Sequence, residues 1–238
     1  AKYQPESVIA QGAYGLALLA RVVELREARL EHFSPVALND TVIVKVARLD
    51  ESRTPEDTRR FLETVTLSLD AELGALHRLR DLPGVPKLLD CGAFLHRLNG
   101  NLSRVPFIVQ EYVQGETLES YAARKFSQPI ESFSGIPDAR VWFKLAWALA
   151  DRLVAVHQRE TVHRDIWPPN ILIHEEKTTD GEIRFEIVFI DFGAAVFRQQ
   201  ISLSVEMRRD VYTPPERIKD WRWPSRRFDI YSLGGVLH

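Results

Sequence analysis

The sequence predicts an α+β protein built from two unequal lobes, and three observations support this fold class. Short apolar runs separated by turn signals dominate the chain up to about residue 113, which is typical of strands. One long amphipathic run lies among them, between residues 54 and 82. From Thr117 onward the pattern becomes mainly helical. We therefore expect residues 1–113 to form a small β-rich lobe with one long helix, and residues 114–238 to form a mainly helical lobe.

The first strands are expected on either side of a glycine-bearing turn. The stretch ESVIAQGAYGLALLARVVEL has two apolar segments, and Gly12 and Gly15 lie between them. A third strand is expected in DTVIVKVARL, where Lys45 interrupts a β-branched run. The polar residues from about 25 to 40 are expected to form the loop that leads to it.

The strongest helical signal follows this strand. Thr54 is placed to cap a helix, Pro55 occupies the first helical position, and acidic residues fill the first turn. Large apolar residues then recur at helical spacing: Phe61, Val65, Leu69, Leu73, Leu76 and Leu79. Glu72 lies near this apolar stripe, and Pro83-Gly84 marks the end of the segment.

Two hairpins and two more helices complete the predicted elements. Asn99-Gly100 and Asp180-Gly181 are both strong signals for a hairpin turn between apolar runs. Helices are expected in TLESYAARKF and in DARVWFKLAWALADRLVAVHQ, with a loop containing Pro129 between them.

Composition and charge exclude several classes of protein. The 238 residues are 45% hydrophobic and carry a formal net charge of −2, so a core can form and no global field would attract nucleic acid. Cys91 is the single cysteine, and no apolar run approaches the roughly 20 residues that span a bilayer. We expect a globular protein of the reducing cytoplasm, without a membrane segment and without a nucleic-acid partner.

Two acid-bearing loops carry the residues best suited to chemistry. The stretch HRDIWPPN, residues 163–170, cannot continue a helix, because proline lacks an N–H and fixes φ. Asp165 in this loop could accept a proton from a hydroxyl group, while Asn170 and Asp191 offer oxygen ligands for a hard cation such as Mg²⁺. Isolated Asp and Asn residues are usually caps or turn residues, but their joint occurrence favours a functional site.

The lysine and the glycines allow two interpretations each. Gly12 and Gly15 could expose backbone N–H groups to phosphate oxygens, although two glycines in a hairpin more often mark only a turn. Lys45 could point to solvent from its strand, or it could be paired with an acid. Glu72 could supply that carboxylate.

Taken together and in this order, the motifs resemble those of a eukaryotic-type, or Hanks-type, protein kinase domain of the serine/threonine kind. The matching stretches are IAQGAYGLA for the glycine-rich loop, VIVK for the strand lysine, QEYV for the hinge, HRDIWPPN for the catalytic loop, DFG for the metal loop, YTPPE for the end of the activation segment and DIYSLGGVL for the buried helix whose aspartate braces the catalytic loop. The resemblance implies a bilobal kinase-like fold, with residues 1–113 as N-lobe and hinge. Residues 114–238 would be a C-lobe truncated after the helix that begins near Asp229.

The resemblance also implies ATP and Mg²⁺ as cofactors and a protein hydroxyl, most often of serine or threonine, as the acceptor. Lys45 would hold the α- and β-phosphates while paired with Glu72. Asn170 and Asp191 would bind Mg²⁺, and Asp165 would orient and deprotonate the acceptor hydroxyl.

Further contacts to the nucleotide follow from the same resemblance. Gly12 and Gly15 would cover the phosphates, and the backbones of Glu111 and Val113 would hydrogen-bond adenine. Gln110 falls at the position called the gatekeeper.

Three residues depart from the family pattern. Ala10 replaces the first glycine of the phosphate loop. Trp167 stands where serine/threonine kinases carry a lysine, and Arg209 stands where a threonine partners that lysine. Arg209 is a candidate for the replacement cation, and Trp167 equally suits a packing role under the loop.

Regulation and chain length give further expectations. Ser202 and Ser204 lie between DFG and YTPPE, and a phosphate on either could dock on Arg164. The sequence begins at Ala1 and ends in the apolar run LGGVLH, so we expect further C-terminal sequence that completes the C-lobe.

Two other functions remain open from the sequence. One is a pseudokinase scaffold, which Trp167 and Arg209 favour. Five retained residues oppose it: Lys45, Glu72, Asp165, Asn170 and Asp191. The other is a small-molecule kinase of the aminoglycoside or choline type, which the YTPPE segment opposes.

Overall fold

The chain folds into two units, each with its own contacts. The computed structural model describes residues 1–12, 15–25, 33–98, 100–126, 139–197, 211–216 and 225–238. The first unit contains residues 1–80 and 86–113, and the second contains residues 81–85 and 114–238. A strand-rich first unit and a second unit that carries most of the described helices confirm the predicted α+β class.

The first unit is a five-stranded antiparallel sheet with one helix against it. The strands are β1 (Lys2–Gln11), β2 (Gly15–Glu24), β3 (Thr41–Ala47), β4 (Leu88–Leu98) and β5 (Asn101–Glu111). Their order across the sheet is β1-β2-β3-β5-β4. The strands on either side of each expected turn therefore pair, β1 with β2 and β4 with β5. Strand β3 lies in the centre, where its backbone is hydrogen-bonded on both sides.

Helix α1 (Pro55–Arg78) begins and packs as its sequence predicts. The Thr54 hydroxyl accepts a hydrogen bond from the Asp57 N–H at 3.1 Å, which satisfies one of the unpaired donors of the first turn. Val65 and Leu69 are buried against Ala47, Val105 and Ile108 of the sheet. This packing is consistent with the predicted apolar stripe.

The turns of the first unit also agree with the sequence. Gly100 has φ +81°, a left-handed conformation that suits glycine in the predicted turn between β4 and β5. Residues 33–40 form the predicted irregular connection to β3, and residues 26–32 of that segment lie outside the described residues.

The second unit combines helices with short strands. Its described helices are α2 (Leu118–Phe126), α3 (Ala139–Gln158) and α4 (Arg226–Leu237), and a 3-10 turn spans Pro168–Asn170. Its strands are β6 (Glu116–Thr117), β7 (Thr161–Val162), β8 (Ile171–Lys177), β9 (Ile183–Phe189) and β10 (Val196–Phe197). They form a three-stranded sheet of order β6-β8-β9 and a two-stranded sheet of β10 and β7.

The second unit differs from the prediction in small ways. The two-residue strands β6, β7 and β10 were not expected, since their pairing partners are distant in sequence. Helix α4 begins three residues before Asp229, because Ser225 caps it by accepting from the Arg227 N–H at 3.2 Å. The predicted loop around Pro129 lies outside the described residues. None of the described helices has the length and apolar character that a bilayer-spanning helix requires.

Candidate active site

The first unit brings Lys45 and Glu72 together. The Lys45 Nζ lies 2.6 Å from the Glu72 Oε1, and the side chains are 18% and 2% exposed. Lys45 comes from the central strand β3, and Glu72 comes from the face of α1 that packs on the sheet. A carboxylate buried this deeply requires a charged or hydrogen-bonding partner. Of the two orientations considered for Lys45, the structure therefore shows the paired one.

A second donor reaches the same carboxylate oxygen. The buried Gln110 of β5 donates from its Nε2 to the Glu72 Oε1 at 2.7 Å. The sequence placed Gln110 beside the hinge but gave no sign of this hydrogen bond, because it joins residues 38 positions apart.

The glycine turn of the first unit is tight at its base. The Gly12 N–H donates to the Gly15 carbonyl at 2.9 Å. A Cβ on Gly15 would lie 2.8 Å from the Val46 carbonyl oxygen, so β2 and β3 come too close there for a larger residue. Residues 13 and 14, at the tip, lie outside the described residues.

The predicted adenine contacts lie at the end of β5. The Glu111 N–H already donates to the Lys87 carbonyl at 2.9 Å, and the Glu111 carboxylate accepts from the Lys87 N–H at 3.2 Å. An adenine base that used the backbone of Glu111 would therefore have to use its carbonyl oxygen. Val113 follows β5 in irregular backbone, next to the chain that enters the second unit.

In the second unit, the prolines of HRDIWPPN form a defined turn. The 3-10 turn closes through the Asn170 N–H, which donates to the Trp167 carbonyl at 2.9 Å. The Asn170 Nδ2 then donates to the Asp165 carbonyl at 3.0 Å and to the Asp165 Oδ2 at 2.8 Å. The loop thus holds Asp165 and Asn170 against each other, and the rigid proline backbone limits their freedom.

A buried aspartate of α4 supports this loop from behind. Asp229 is fully buried, and its carboxylate accepts from the backbone N–H groups of His163 at 2.8 Å and Arg164 at 2.7 Å. The His157 Nε2 of α3 lies 2.8 Å from the same carboxylate. These hydrogen bonds agree with the brace that the DIYSLGGVL motif predicted. They also fix Arg164 at φ +69°, a strained conformation for a residue with a side chain.

His163 links the catalytic loop to the DFG segment. Its Nε2 lies 3.1 Å from the Ile190 carbonyl, which can only accept, so this nitrogen donates. Its Nδ1 then accepts from the Asp165 N–H at 3.3 Å. The fully buried Phe192 packs on the imidazole ring, with ring centroids 4.4 Å apart.

Asp191 and Asn170 fit the oxygen chemistry of a divalent metal. The Ile190 N–H donates to the Asn170 carbonyl at 3.0 Å. Because Asp191 directly follows Ile190, it lies close to Asn170. The Asn170 amide nitrogen is directed to Asp165, so its oxygen remains for a cation. One carboxylate and one amide oxygen are few ligands, but Mg²⁺ typically keeps several waters. Among the described residues, no cluster of three or more His, Cys, Asp or Glu side chains offers a competing metal site.

The sequence singled out several other residues. Trp167 precedes the 3-10 turn in extended backbone and is partly buried. Arg209, Ser202 and Ser204 lie outside the described residues. A cavity of about 760 Å³ lies between α1 and the β4–β5 hairpin, but none of the predicted site residues lines it.

Comparison with known proteins agrees with these motifs. The family model of the protein kinase domain matches residues 38–238. A probable serine/threonine-protein kinase of Clostridium perfringens is 29% identical over 206 residues, which cover 84% of this chain and 25% of that protein. A probable serine/threonine-protein kinase of Bifidobacterium longum is 27% identical, over 84% of this chain and 26% of that protein.

A plant relative matches nearly the whole chain. A probable serine/threonine-protein kinase of Arabidopsis thaliana is 26% identical over 240 residues, which cover 99% of this chain and 48% of that protein. The chain therefore spans about a quarter to a half of the length of these relatives. Because the family model matches most of the chain, including every acid-bearing loop described above, the chain belongs to the protein kinase domain family.

Proposed function

We propose that this domain is an active serine/threonine protein kinase, which transfers the γ-phosphate of ATP to a protein hydroxyl with the help of Mg²⁺. The observation that carries the proposal is the fixed position of Asp165. Asn170 holds its carboxylate, and Asp229 holds the backbone of the two residues before it. Phosphoryl transfer depends mainly on such positioning and on electrostatics.

Each site residue has a role in this proposal. The Lys45 ammonium binds the α- and β-phosphates, and Glu72 keeps it in place. Asn170 and Asp191 hold Mg²⁺, which when bound neutralises negative charge on the phosphates. Gly12 and Gly15 form the base of the turn that covers the phosphates, with the Gly12 N–H bound to the Gly15 carbonyl. The backbones of Glu111 and Val113 bind adenine.

Asp165 acts on the acceptor in this proposal. Its carboxylate accepts a hydrogen bond from the acceptor hydroxyl, aligns the oxygen and takes the proton as the phosphate is transferred. The Asn170 amide limits the rotation of this carboxylate, so the acceptor would meet a base in a defined orientation.

The division of labour and the location are also part of the proposal. Residues 1–113 act as the lobe that binds the nucleotide, and residues 114–238 act as the lobe that carries Asp165 and the metal ligands. Cys91 is the single cysteine, which suits a reducing compartment, and we propose the cytoplasm.

A transfer assay tests the proposal. Radiolabelled ATP and Mg²⁺ are offered with serine, threonine and tyrosine peptides, and in parallel with aminoglycoside and choline acceptors. We expect label on serine or threonine peptides alone. Label on the small alcohols would replace the proposal with a small-molecule kinase. Absence of transfer from the full-length protein to any acceptor would replace it with a pseudokinase scaffold.

A further inference from the structure

A buried glutamine takes part in the lysine–glutamate pair of the first unit. Gln110 is only 3% exposed, and its Nε2 donates to the Glu72 Oε1 at 2.7 Å. The same oxygen accepts from the Lys45 Nζ at 2.6 Å. One oxygen atom of α1 is therefore tied to two strands of the sheet at once.

The strand register explains why these groups meet. Ile43 lies opposite Gln110 in the β3–β5 pair, and Lys45 lies two residues farther along β3. Because alternate residues of a strand share a face, Lys45 and Gln110 project from the same face of the sheet. Ile108 also lies on this face, opposite Lys45, and packs in the cluster that includes Val65 of α1. Both donors therefore face the helix that carries Glu72.

We propose that Gln110 is a positioning residue that holds the Glu72 carboxylate where Lys45 needs it. The inference rests on the proposed function, since it concerns the lysine that would bind the phosphates. The physical reason is the cost of an unsatisfied buried donor. If α1 moved and took Glu72 away, the Gln110 amide would lose its partner inside the protein. An apolar residue at this position would carry no such penalty, so the open arrangement would be more populated.

The amide also acts when nucleotide is bound. The Lys45 ammonium has three N–H donors, and a bound phosphate would accept hydrogen bonds from some of them. Glu72 would then depend less on Lys45 alone, because Gln110 keeps a hydrogen bond to the same carboxylate. With Gln110 present, the position of α1 would thus depend less on whether nucleotide is bound.

The first experiment measures the coupling between the two residues without any ligand. The free energy of unfolding is compared among the wild type, Gln110→Met, Glu72→Met and the double variant. We expect Gln110→Met to destabilise the wild type more than it destabilises the Glu72→Met protein, because the hydrogen bond exists only in the first case. Strict additivity would overturn the proposal.

The second experiment measures nucleotide binding and transfer by Gln110→Met, which remains testable if Glu72→Met does not fold. We expect kcat/KM to fall about tenfold to a hundredfold, the size expected for a hydrogen bond to a charged group. The affinity for Mg²⁺-ATP should fall as well, and it should fall more than the affinity for adenosine, since adenosine has no phosphates for Lys45. Equal losses for ATP and adenosine, or no loss for either, would overturn the positioning role.

Val109→Ala is the matched control. Val109 is the neighbouring residue of β5 and packs with Ala20, Val22 and Val42 in a cluster that contains no residue of α1. Its truncation should lower the melting temperature while the folded protein keeps its ratio of ATP to adenosine affinity. If Val109→Ala changed that ratio as Gln110→Met does, the effect would reflect general destabilisation and the proposal would fall.

The two experiments separate this inference from the kinase proposal. If the wild type binds Mg²⁺-ATP but transfers no phosphate, the kinase proposal fails, and the coupling and the affinity ratio still decide the role of Gln110. If the wild type transfers phosphate and the coupling is zero, the kinase proposal stands and Gln110 is only a packing residue.

Discussion

Gly84 shows at the level of one residue how backbone and packing constrain the second unit. Its φ is +78°, in the left-handed region, and a Cβ there would lie 2.5 Å from the Arg152 side chain and from the Ile187 carbonyl oxygen. Its own carbonyl accepts from the Phe189 N–H at 3.1 Å, so the backbone cannot easily move away. Glycine is therefore required twice over, by conformation and by space.

We predict that Gly84→Ala lowers the free energy of unfolding by about 2–4 kcal/mol, the sum of left-handed strain and overpacking. Gly181→Ala is the matched control, since Gly181 also has a positive φ of +81° but nothing within 4 Å of a built Cβ. It should lose only about 1–2 kcal/mol. Urea unfolding measures the free energy of unfolding of both variants. Equal losses would show that the close approach to the Ile187 carbonyl adds no cost for the new methyl group.

Helix α1 connects the capping of its first turn to the position of Glu72. Thr54 starts the helix, and Glu72 lies near its other end, in the face that packs on the sheet. Fraying of the first turn would remove packing contacts of the helix. Lys45 and Gln110 both bind this helix through the Glu72 carboxylate. The cap at Thr54 thus helps to keep Glu72 in position for its ion pair with Lys45.

We predict that Thr54→Ala destabilises the protein by about 1 kcal/mol, the usual loss for an N-cap hydroxyl. Thr64→Ala is the control within the same helix. Thr64 is partly buried, its hydroxyl donates back to the Arg60 carbonyl at 3.0 Å, and alanine is the better helix former. Thermal melting should therefore show a loss for the first variant and no loss for the second. A similar loss in both would place the effect outside the cap.

Helix α4 supports the catalytic loop through one carboxylate. Asp229 accepts from two backbone N–H groups of the loop and lies 2.8 Å from the His157 Nε2. Asp229→Asn would place an amide nitrogen against groups that donate. We predict a loss of about 1.5–3 kcal/mol in the free energy of unfolding, typical of hydrogen bonds to a charged group. Turnover per folded molecule should fall too, since the loop that holds Asp165 loses its support.

Ser232→Ala is the comparison for this prediction. Ser232 is buried in the same helix and donates to the Tyr212 carbonyl at 2.7 Å and to the Phe228 carbonyl at 2.9 Å. Its loss should destabilise α4 without changing turnover per folded molecule. If both variants reduced turnover alike, the brace would have no specific effect on the loop.

On the scale of the whole molecule, local sequence signals predicted most of the fold, but they did not predict the contacts between residues distant in sequence. The turns at Gly100 and Gly181, the cap at Thr54 and the stripe of α1 are encoded by neighbouring residues, and all agree with the structure. Strand β7 contains two residues and exists only because β10 pairs with it. Such pairing depends on the tertiary fold, so periodicity could not reveal it.

The same distinction holds for the candidate site. The order of the motifs was enough to single out Lys45, Asp165 and Asp191. The sequence also named Glu72 as the partner of Lys45 and the aspartate of DIYSLGGVL as the brace of the catalytic loop. The side chains that bind these two carboxylates were not visible in the sequence, because Gln110 and His157 are separated from Glu72 and Asp229 by 38 and 72 residues. A buried glutamine has no local pattern of its own, so only the register of β3 and β5 shows what it contacts.

The stability of the whole protein should fall in alkaline solution. Burial, followed by the hydrogen bond to Glu175, raises the pKa of Tyr121 well above its usual value, so the folded state keeps this proton longer than the unfolded state. The stabilisation is fully present below about pH 10, the ordinary tyrosine value, and is lost as the pH rises through the higher folded value. Each such group steepens the decline by up to about 1.4 kcal/mol per pH unit.

Tyr121→Phe tests this pH dependence. The variant should be less stable at pH 8, because the Glu175 carboxylate loses a donor, and its stability should fall less steeply between pH 10 and 11. Burial and Asp90 also raise the pKa of Tyr3, so a residual slope should remain. Urea unfolding at several pH values measures the slopes. Parallel slopes for the wild type and the variant would contradict the role of Tyr121.

The measurement that tests the central claim most directly compares Asp165→Asn with Asp191→Asn in the same two assays, calorimetric titration with Mg²⁺-ATP and phosphate transfer to a serine or threonine peptide. In Asp165→Asn the side-chain oxygen can still accept from the Asn170 amide, so the loop keeps its shape. We predict unchanged Mg²⁺-ATP affinity and a loss of transfer of about 10²- to 10⁴-fold, the usual contribution of a positioned base. Asp191→Asn should lose Mg²⁺-dependent affinity and transfer together, because it removes the charge proposed to face the cation. Transfer by Asp165→Asn at the wild-type rate would contradict the account.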